Sequence, residues 1–272
     1  MTNSNLALLI DGDNVSPKII VGLLVEIANY GTASVRRIYG DWTSPSLRGW
    51  KACLLNHSIT PIQQFAYTTG KNATDGAMII DAMDLLYTGR FSSFCLVSSD
   101  SDFTRLASRI REQGVTVYGF GERKTNNAFI AACDKFIYFD VLNEESEELG
   151  VPLPAAESSK PGVGPIVVVR DQLMDKRPID SRARAGIVLA IRNSRGHGDS
   201  WVNLAEVGNY LNKLAPNLNA RNYGYERLRE FIEATGIVDV KYKSIGDKPP
   251  IVLVCLKEDK EDREDREEEL RF

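Results

Sequence analysis

Six short apolar or β-branched runs, at residues 6–10, 34–40, 59–66, 93–98, 115–120 and 136–141, alternate over the first 142 residues with stretches of helical periodicity. Strands interleaved with helices need crossover connections, so the expected fold is α/β, with a mainly parallel sheet flanked by helices on both faces. Ser16-Pro17 and Ser44-Pro45 each pair an N-cap serine with proline at the first helical position, marking two helix starts locally.

Two of the runs stop abruptly at acids. LALLI leads into Asp11-Gly12-Asp13-Asn14, and FCLVSS leads into Asp100-Ser101-Asp102. An acid at the carboxyl end of a strand sits where open α/β sheets place their ligand crevice. Asp11 follows five apolar residues, so its charge lies at the rim of a dry core, where a cation would compensate for it. The local alternative makes Asp13 a helix cap and Asn14 the closer of an Asx-turn. Asp102 has its own alternative as a first-turn acid favoured by the helix dipole.

Helical projection supplies a third contributor. The apolar stripe of the segment 75–87 is Met78, Ile79, Ala82, Leu85 and Leu86, and Asp75 lies four residues before Ile79 on that side. Asp81 falls at the stripe's edge and Asp84 opposite it. Lys71, just upstream, is placed to touch a phosphate, and Ser99 adjoins Asp100. Oxygen ligands with no His or Cys nearby select Mg²⁺ or Mn²⁺. Three to five carboxylates around one crevice suit metal-assisted attack of water on a phosphodiester.

The four cysteines are widely and irregularly spaced, with no CxxC pair and only two histidines, which argues against a zinc site or a disulfide framework and for a reducing cytosol. No apolar stretch approaches the roughly 20 residues that span a bilayer, and the amino terminus lacks a basic leader, so no membrane partner is expected.

Charge divides the chain further. Residues 1–142 are balanced, 165–256 carry +4, and 143–164 and 257–272 carry −4 each. Segment 143–164 mixes acids with Pro, Gly and Ser and reads as a linker. The tail 257–272 has almost nothing to bury and reads as a solvated helix or a protein-partner contact. Segment 165–256 reads as helices at 182–192, 203–213 and 225–235, with Leu204, Val207, Leu211 and Leu214 as a buried stripe, then strands at 237–241 and 251–255 joined by a turn at 246–250. Three helices and a hairpin make a small α+β winged helix-turn-helix.

Four stretches in order, LALLIDGDNVSP, TGKNATDGAMIIDAMDLL, FCLVSSDSDFTRLASRIREQGVTVYGFG and TNNAFIAACDKFIYFD, make residues 1–142 resemble the NYN domain family, PIN-like nuclease relatives also called LabA-like. The resemblance implies a Mg²⁺- or Mn²⁺-dependent ribonuclease whose acids correspond to Asp11, Asp75, Asp100 and Asp102, with Asp81 and Asn14 beside them. It also implies a small polar residue after the fifth strand, a role that Thr125, Asn126 or Asn127 would fill. Residues 165–256, through NLAEVGNYLNKLAP and Asn222 to Ile232, resemble the OST-HTH or LOTUS domain. That resemblance implies a module for RNA, G-rich or structured, and a surface for a protein partner. Arg182, Arg184, Arg192, Arg195, Arg221 and Arg227 would track its backbone, and Tyr223 would stack on a base.

The expected function is therefore an RNA endonuclease in which the second module captures RNA and the first cuts it. Asp11 and Asp100 are the expected direct ligands, with Asp75 and Asp102 completing the shell or orienting water. LLIDGDNV also fits the start of HAD-type phosphohydrolases, where Asp11 would be a covalent nucleophile and Asp13 the acid. A non-catalytic RNA adaptor is the third reading.

Overall fold

A computed structural model of the chain describes residues 4–65, 73–142, 176–195, 201–245 and 248–258. Lys71, the segment read as a linker and residues 259–272 of the tail lie outside the described residues. The chain divides into two compact units, Met1–Leu173 and Met174–Phe272.

The first unit is one six-stranded sheet. Its strands are β1 (Asn5–Asp11), β2 (Thr32–Gly40), β3 (Thr60–Gln63), β4 (Ser93–Val97), β5 (Thr116–Gly121) and β6 (Lys135–Tyr138), in the order β3-β2-β1-β4-β5-β6. Every pairing is parallel. The connections are α1 (Ile20–Ala28), α2 (Arg48–Leu54), α3 (Ala73–Tyr87), α4 (Thr104–Glu112) and α5 (Asn127–Ala132). Strands run outward one way from β1 and the other way from β4, so these two neighbours flank the point where the winding reverses. Such a reversal opens a crevice at the carboxyl ends of the two strands.

Leu6, Ala7, Leu8, Leu9 and Ile10 are wholly buried, as a strand covered on both faces requires. Each such Leu or Ile contributes about 1.5–3 kcal/mol of burial. On one face Leu6, Leu8 and Ile10 pack with Ile20, Leu23, Ile27, Trp50 and Cys53 of α1 and α2. On the other, α3 packs on β1 and β2, and α4 on β5. Met78, Ala82, Leu85 and Leu86 are the buried stripe of α3, while Ile79 is half-buried and Asp84 exposed. Ser16 and Ser44 cap short 3-10 turns that open on Pro17 and Pro45 and run on into α1 and α2. Ser16 thus takes the cap that Asp13 had been weighed for.

The second unit has α6 (Ser181–Asn193), α7 (Leu204–Leu214) and α8 (Leu228–Glu233), with an antiparallel sheet of β7 (Val202–Asn203), β8 (Val238–Ile245) and β9 (Lys248–Leu256) in the order β7-β9-β8. This is the winged helix arrangement, with three local corrections. The third helix starts at Leu228 rather than Tyr225, because Gly224 adopts a left-handed conformation (φ 75°) and ends a 3-10 turn at Arg221–Tyr223. Leu214 is 44% exposed at the end of α7 and leaves the stripe. The hairpin strands are longer than expected, and Lys248, Pro249 and Pro250 belong to β9. Tyr225 is buried against Phe231, in the core.

Candidate metal centre

The parallel register sets Ile10 beside Val97, so Asp11, the last residue of β1, and Ser98, the first residue after β4, meet at the crevice. Asp11 is fully buried. Its Oδ2 accepts hydrogen bonds from Ser98 Oγ at 2.7 Å and Asn14 Nδ2 at 2.9 Å. Its Oδ1 is also buried and has no hydrogen-bond donor among the described residues. Two donors on one oxygen lock the carboxylate and leave the other oxygen bare, in an environment where an unmet acceptor costs about 1–3 kcal/mol. Burial pushes the Asp11 carboxyl above the usual range; the Asn14 and Ser98 bonds pull it down, and Asp13 pushes it up again.

The first turn of α3 brings in Asp75, and the turn after β4 brings in Asp100 and Asp102. One oxygen of each lies within 4.8 Å of the others. Asp75 is buried, Asp100 half-buried and Asp102 exposed. Asp100 also caps the 3-10 turn before α4 by accepting from the Asp102 amide through Oδ1 at 2.9 Å. A carboxylate has two oxygens, so this cap engages only one of them. Burial first, and then Asp11, Asp100, Asp102 and Asp13, together raise the Asp75 carboxyl to about 6. Asp11 therefore shares the electrostatic field of the three acids while standing outside the tightest group. A buried oxygen without a partner among the described residues, on an acid whose charge is felt by a cluster of carboxylates with no His or Cys among them, fits a hard divalent cation.

Other expected site residues have local duties. Asp81 leaves the acidic group, because its carboxylate is bound by Arg37 and by the Tyr39 hydroxyl on β2. Thr125 is buried and closes a turn by donating to the Glu122 carbonyl at 2.6 Å. Asn126 caps α5. Ser99 accepts from the Glu122 amide at 2.7 Å and ties the turn after β4 to the turn after β5. Asp13 accepts from Thr74 Oγ1 at 2.8 Å. Ser98 is the residue that sequence reasoning missed. The signal for it was a polar side chain at the end of an apolar strand, two places before Asp100. A separate cavity of about 460 Å³, lined by Arg111, Glu112, Thr116 and Asp134, opens at the amino end of β5, opposite the acids.

In the second unit Arg182 and Arg184 are exposed at the start of α6, and Arg192, exposed near its end, pairs with Glu258 at 3.5 Å. Successive positions turn by about 100°, so these three fan around the exposed sides of α6 instead of forming a row. Arg195 and Arg221 are half-buried and Arg227 is exposed. Tyr223 is half-buried and stacks on Phe231 with centroids 4.8 Å apart, which commits one ring face to the core.

All four cysteines are free and buried. Among the described residues no helix is long and apolar enough to cross a membrane. No curated protein matches the chain. A protein of unknown function from Vibrio parahaemolyticus is 20% identical, covering 50% of this chain and 93% of its own, with a TM-score of 0.41. An uncharacterized protein from Nitrosomonas europaea is 24% identical over 37% of this chain and 92% of its own, with a TM-score of 0.27. Family models match residues 5–143 as an NYN domain and residues 180–250 as an OST-HTH/LOTUS domain. The chain belongs to the NYN family through its first unit and carries an OST-HTH/LOTUS domain in its second.

Proposed function

We propose that this protein is a Mg²⁺- or Mn²⁺-dependent ribonuclease in which the LOTUS domain holds RNA and the NYN acids cut it. The NYN domain is of PIN-like nuclease type and the LOTUS domain is of RNA-binding type, which supports a nuclease that engages RNA. The observation that carries the metal reading is the buried, unsatisfied Oδ1 of Asp11 near three clustered carboxylates, of which Asp75 is pushed up by burial and by the acids around it.

Asp11, Asp75, Asp100 and Asp102 would hold the cation. Bound there, it would lower the pKa of a coordinated water and offset the charge of the scissile phosphate. Ser98 and Asn14 keep Asp11 turned toward the crevice, and the Asp102 amide keeps Asp100 in place. Lys71 remains the expected phosphate contact. Outside the tight set, Asp11 supports ion binding from the buried side, and Asp75, Asp100 and Asp102 supply the closer oxygens. Four free thiols suit the reducing cytosol in which this reading places the protein.

The test is cleavage of labelled single-stranded and structured RNAs by the full chain with Mn²⁺ or EDTA. The reading expects Mn²⁺-dependent fragments that disappear in Asp11→Asn and Asp100→Asn while RNA binding persists. RNA binding with no cleavage at any Mn²⁺ concentration would leave the adaptor reading standing. A covalent phosphate on Asp11, lost in Asp13→Asn, would point to phosphohydrolase chemistry.

A further inference from the structure

Asp81 sits six residues after Asp75, about 9 Å further along α3, and its carboxylate turns away from the crevice to β2. It accepts from Arg37 Nη1 and from the Tyr39 hydroxyl. Arg37 and Tyr39 are two residues apart on one strand, hence on the same face, and that face meets α3. Tyr39 is wholly buried, and burial together with Asp81 keeps its phenol protonated, so it stays a donor.

The main chain of Tyr39 does something else. It pairs with Asp11 in the sheet register, and its carbonyl accepts the Gly12 amide at 2.8 Å. Tyr39 thus touches the turn that carries Asp11 through its backbone and the helix that carries Asp75 through its side chain. At the start of the same helix Thr74 donates to Asp13 of that turn. Two ties, one at the first turn of α3 and one at its middle, set the helix against β1 and β2.

We infer that Asp81 is a positioning residue: its bonds to Tyr39 and Arg37 fix the axial setting of α3 and so the place of Asp75 relative to Asp11 and Asp100. The inference rests on the acidic crevice being a cation site. Asp75 lies in the first turn of α3, so any slide or rotation of the helix moves its carboxylate directly. Groups behind a metal ligand change metal affinity by about 10- to 100-fold when removed.

The test titrates Mn²⁺ into the full chain by calorimetry and follows thermal unfolding in EDTA, for wild type, Tyr39→Phe, Asp81→Ala and Asp81→Asn. Tyr39→Phe removes one hydroxyl and keeps the ring, so it remains informative if Asp81→Ala does not fold. The expected result is a 10- to 100-fold weaker Mn²⁺ affinity in Tyr39→Phe and Asp81→Ala, with part of it recovered in Asp81→Asn, which keeps an acceptor oxygen. Unchanged Mn²⁺ affinity with a lower unfolding temperature would overturn the positioning role and leave a plain structural tie. Absence of Mn²⁺ binding in the wild type would overturn the cation reading itself, and this inference with it.

Discussion

Replacing Asp75 with Asn should stabilise the metal-free protein while abolishing the proposed RNA cleavage. In the folded chain the Asp75 carboxyl lies at about 6 against 3.8 when unperturbed, raised first by burial and then by Asp11, Asp100, Asp102 and Asp13. A folded value above the unfolded one means that folding favours the protonated acid. That advantage is complete below pH 3.8 and is lost as pH rises through about 6. Each unit is worth about 1.4 kcal/mol, which bounds the cost of ionised Asp75 near neutrality at roughly 3 kcal/mol. The crevice opens to water at the exposed Asp102, and screening lowers the cost to about 1–2 kcal/mol. An amide carries no charge, so Asp75→Asn should unfold roughly 2–8 °C above wild type at pH 7.5 in EDTA, and the gap should close near pH 4. Calorimetry or circular dichroism at the two pH values measures this directly. A variant no more stable than wild type at pH 7.5, or one with the same advantage at pH 4, would refute the charge argument.

Four further outcomes follow from named residues. Ser98→Ala removes one of the two donors on Asp11 Oδ2, so Mn²⁺ affinity should fall about 10- to 100-fold with the fold intact; unchanged affinity in a titration would deny Ser98 its orienting role. Gly121→Ala would place a methyl 2.7 Å from Thr125 Oγ1 and 2.8 Å from the Ser98 carbonyl, so thermal unfolding should show a loss of about 1–3 kcal/mol. In the second unit Tyr223→Ala should cost stability by breaking the stack on Phe231, about 2–4 kcal/mol. Arg227→Ala should leave stability within about 0.5 kcal/mol and instead weaken RNA binding with a shallower salt dependence, read by filter binding at several salt concentrations.

Strands ending in acids were legible because a buried β-run and a carboxylate cannot be neighbours without placing the charge at a rim. That pattern located β1, β4, Asp11 and Asp100, and helical projection located Asp75. The same projection put Asp81 at the stripe's edge, where it is half-buried, but its partners Arg37 and Tyr39 sit on a strand some forty residues away and only the packing of α3 on β2 reveals them. Ser98 was read as the tail of a strand; its contact with Asp11 depends on the parallel register of β1 and β4, which no local pattern encodes. The stack of Tyr223 on Phe231 was not legible either, since it joins residues eight apart across the left-handed turn at Gly224.

The most direct test of the central claim is anomalous scattering from crystals of the full chain soaked in Mn²⁺. The account predicts a peak bounded by Asp75, Asp100 and Asp102 on the side of Asp11 Oδ1, absent in Asp11→Asn and Asp100→Asn. A peak elsewhere, or none at saturating Mn²⁺ with the four carboxylates still gathered, would contradict it.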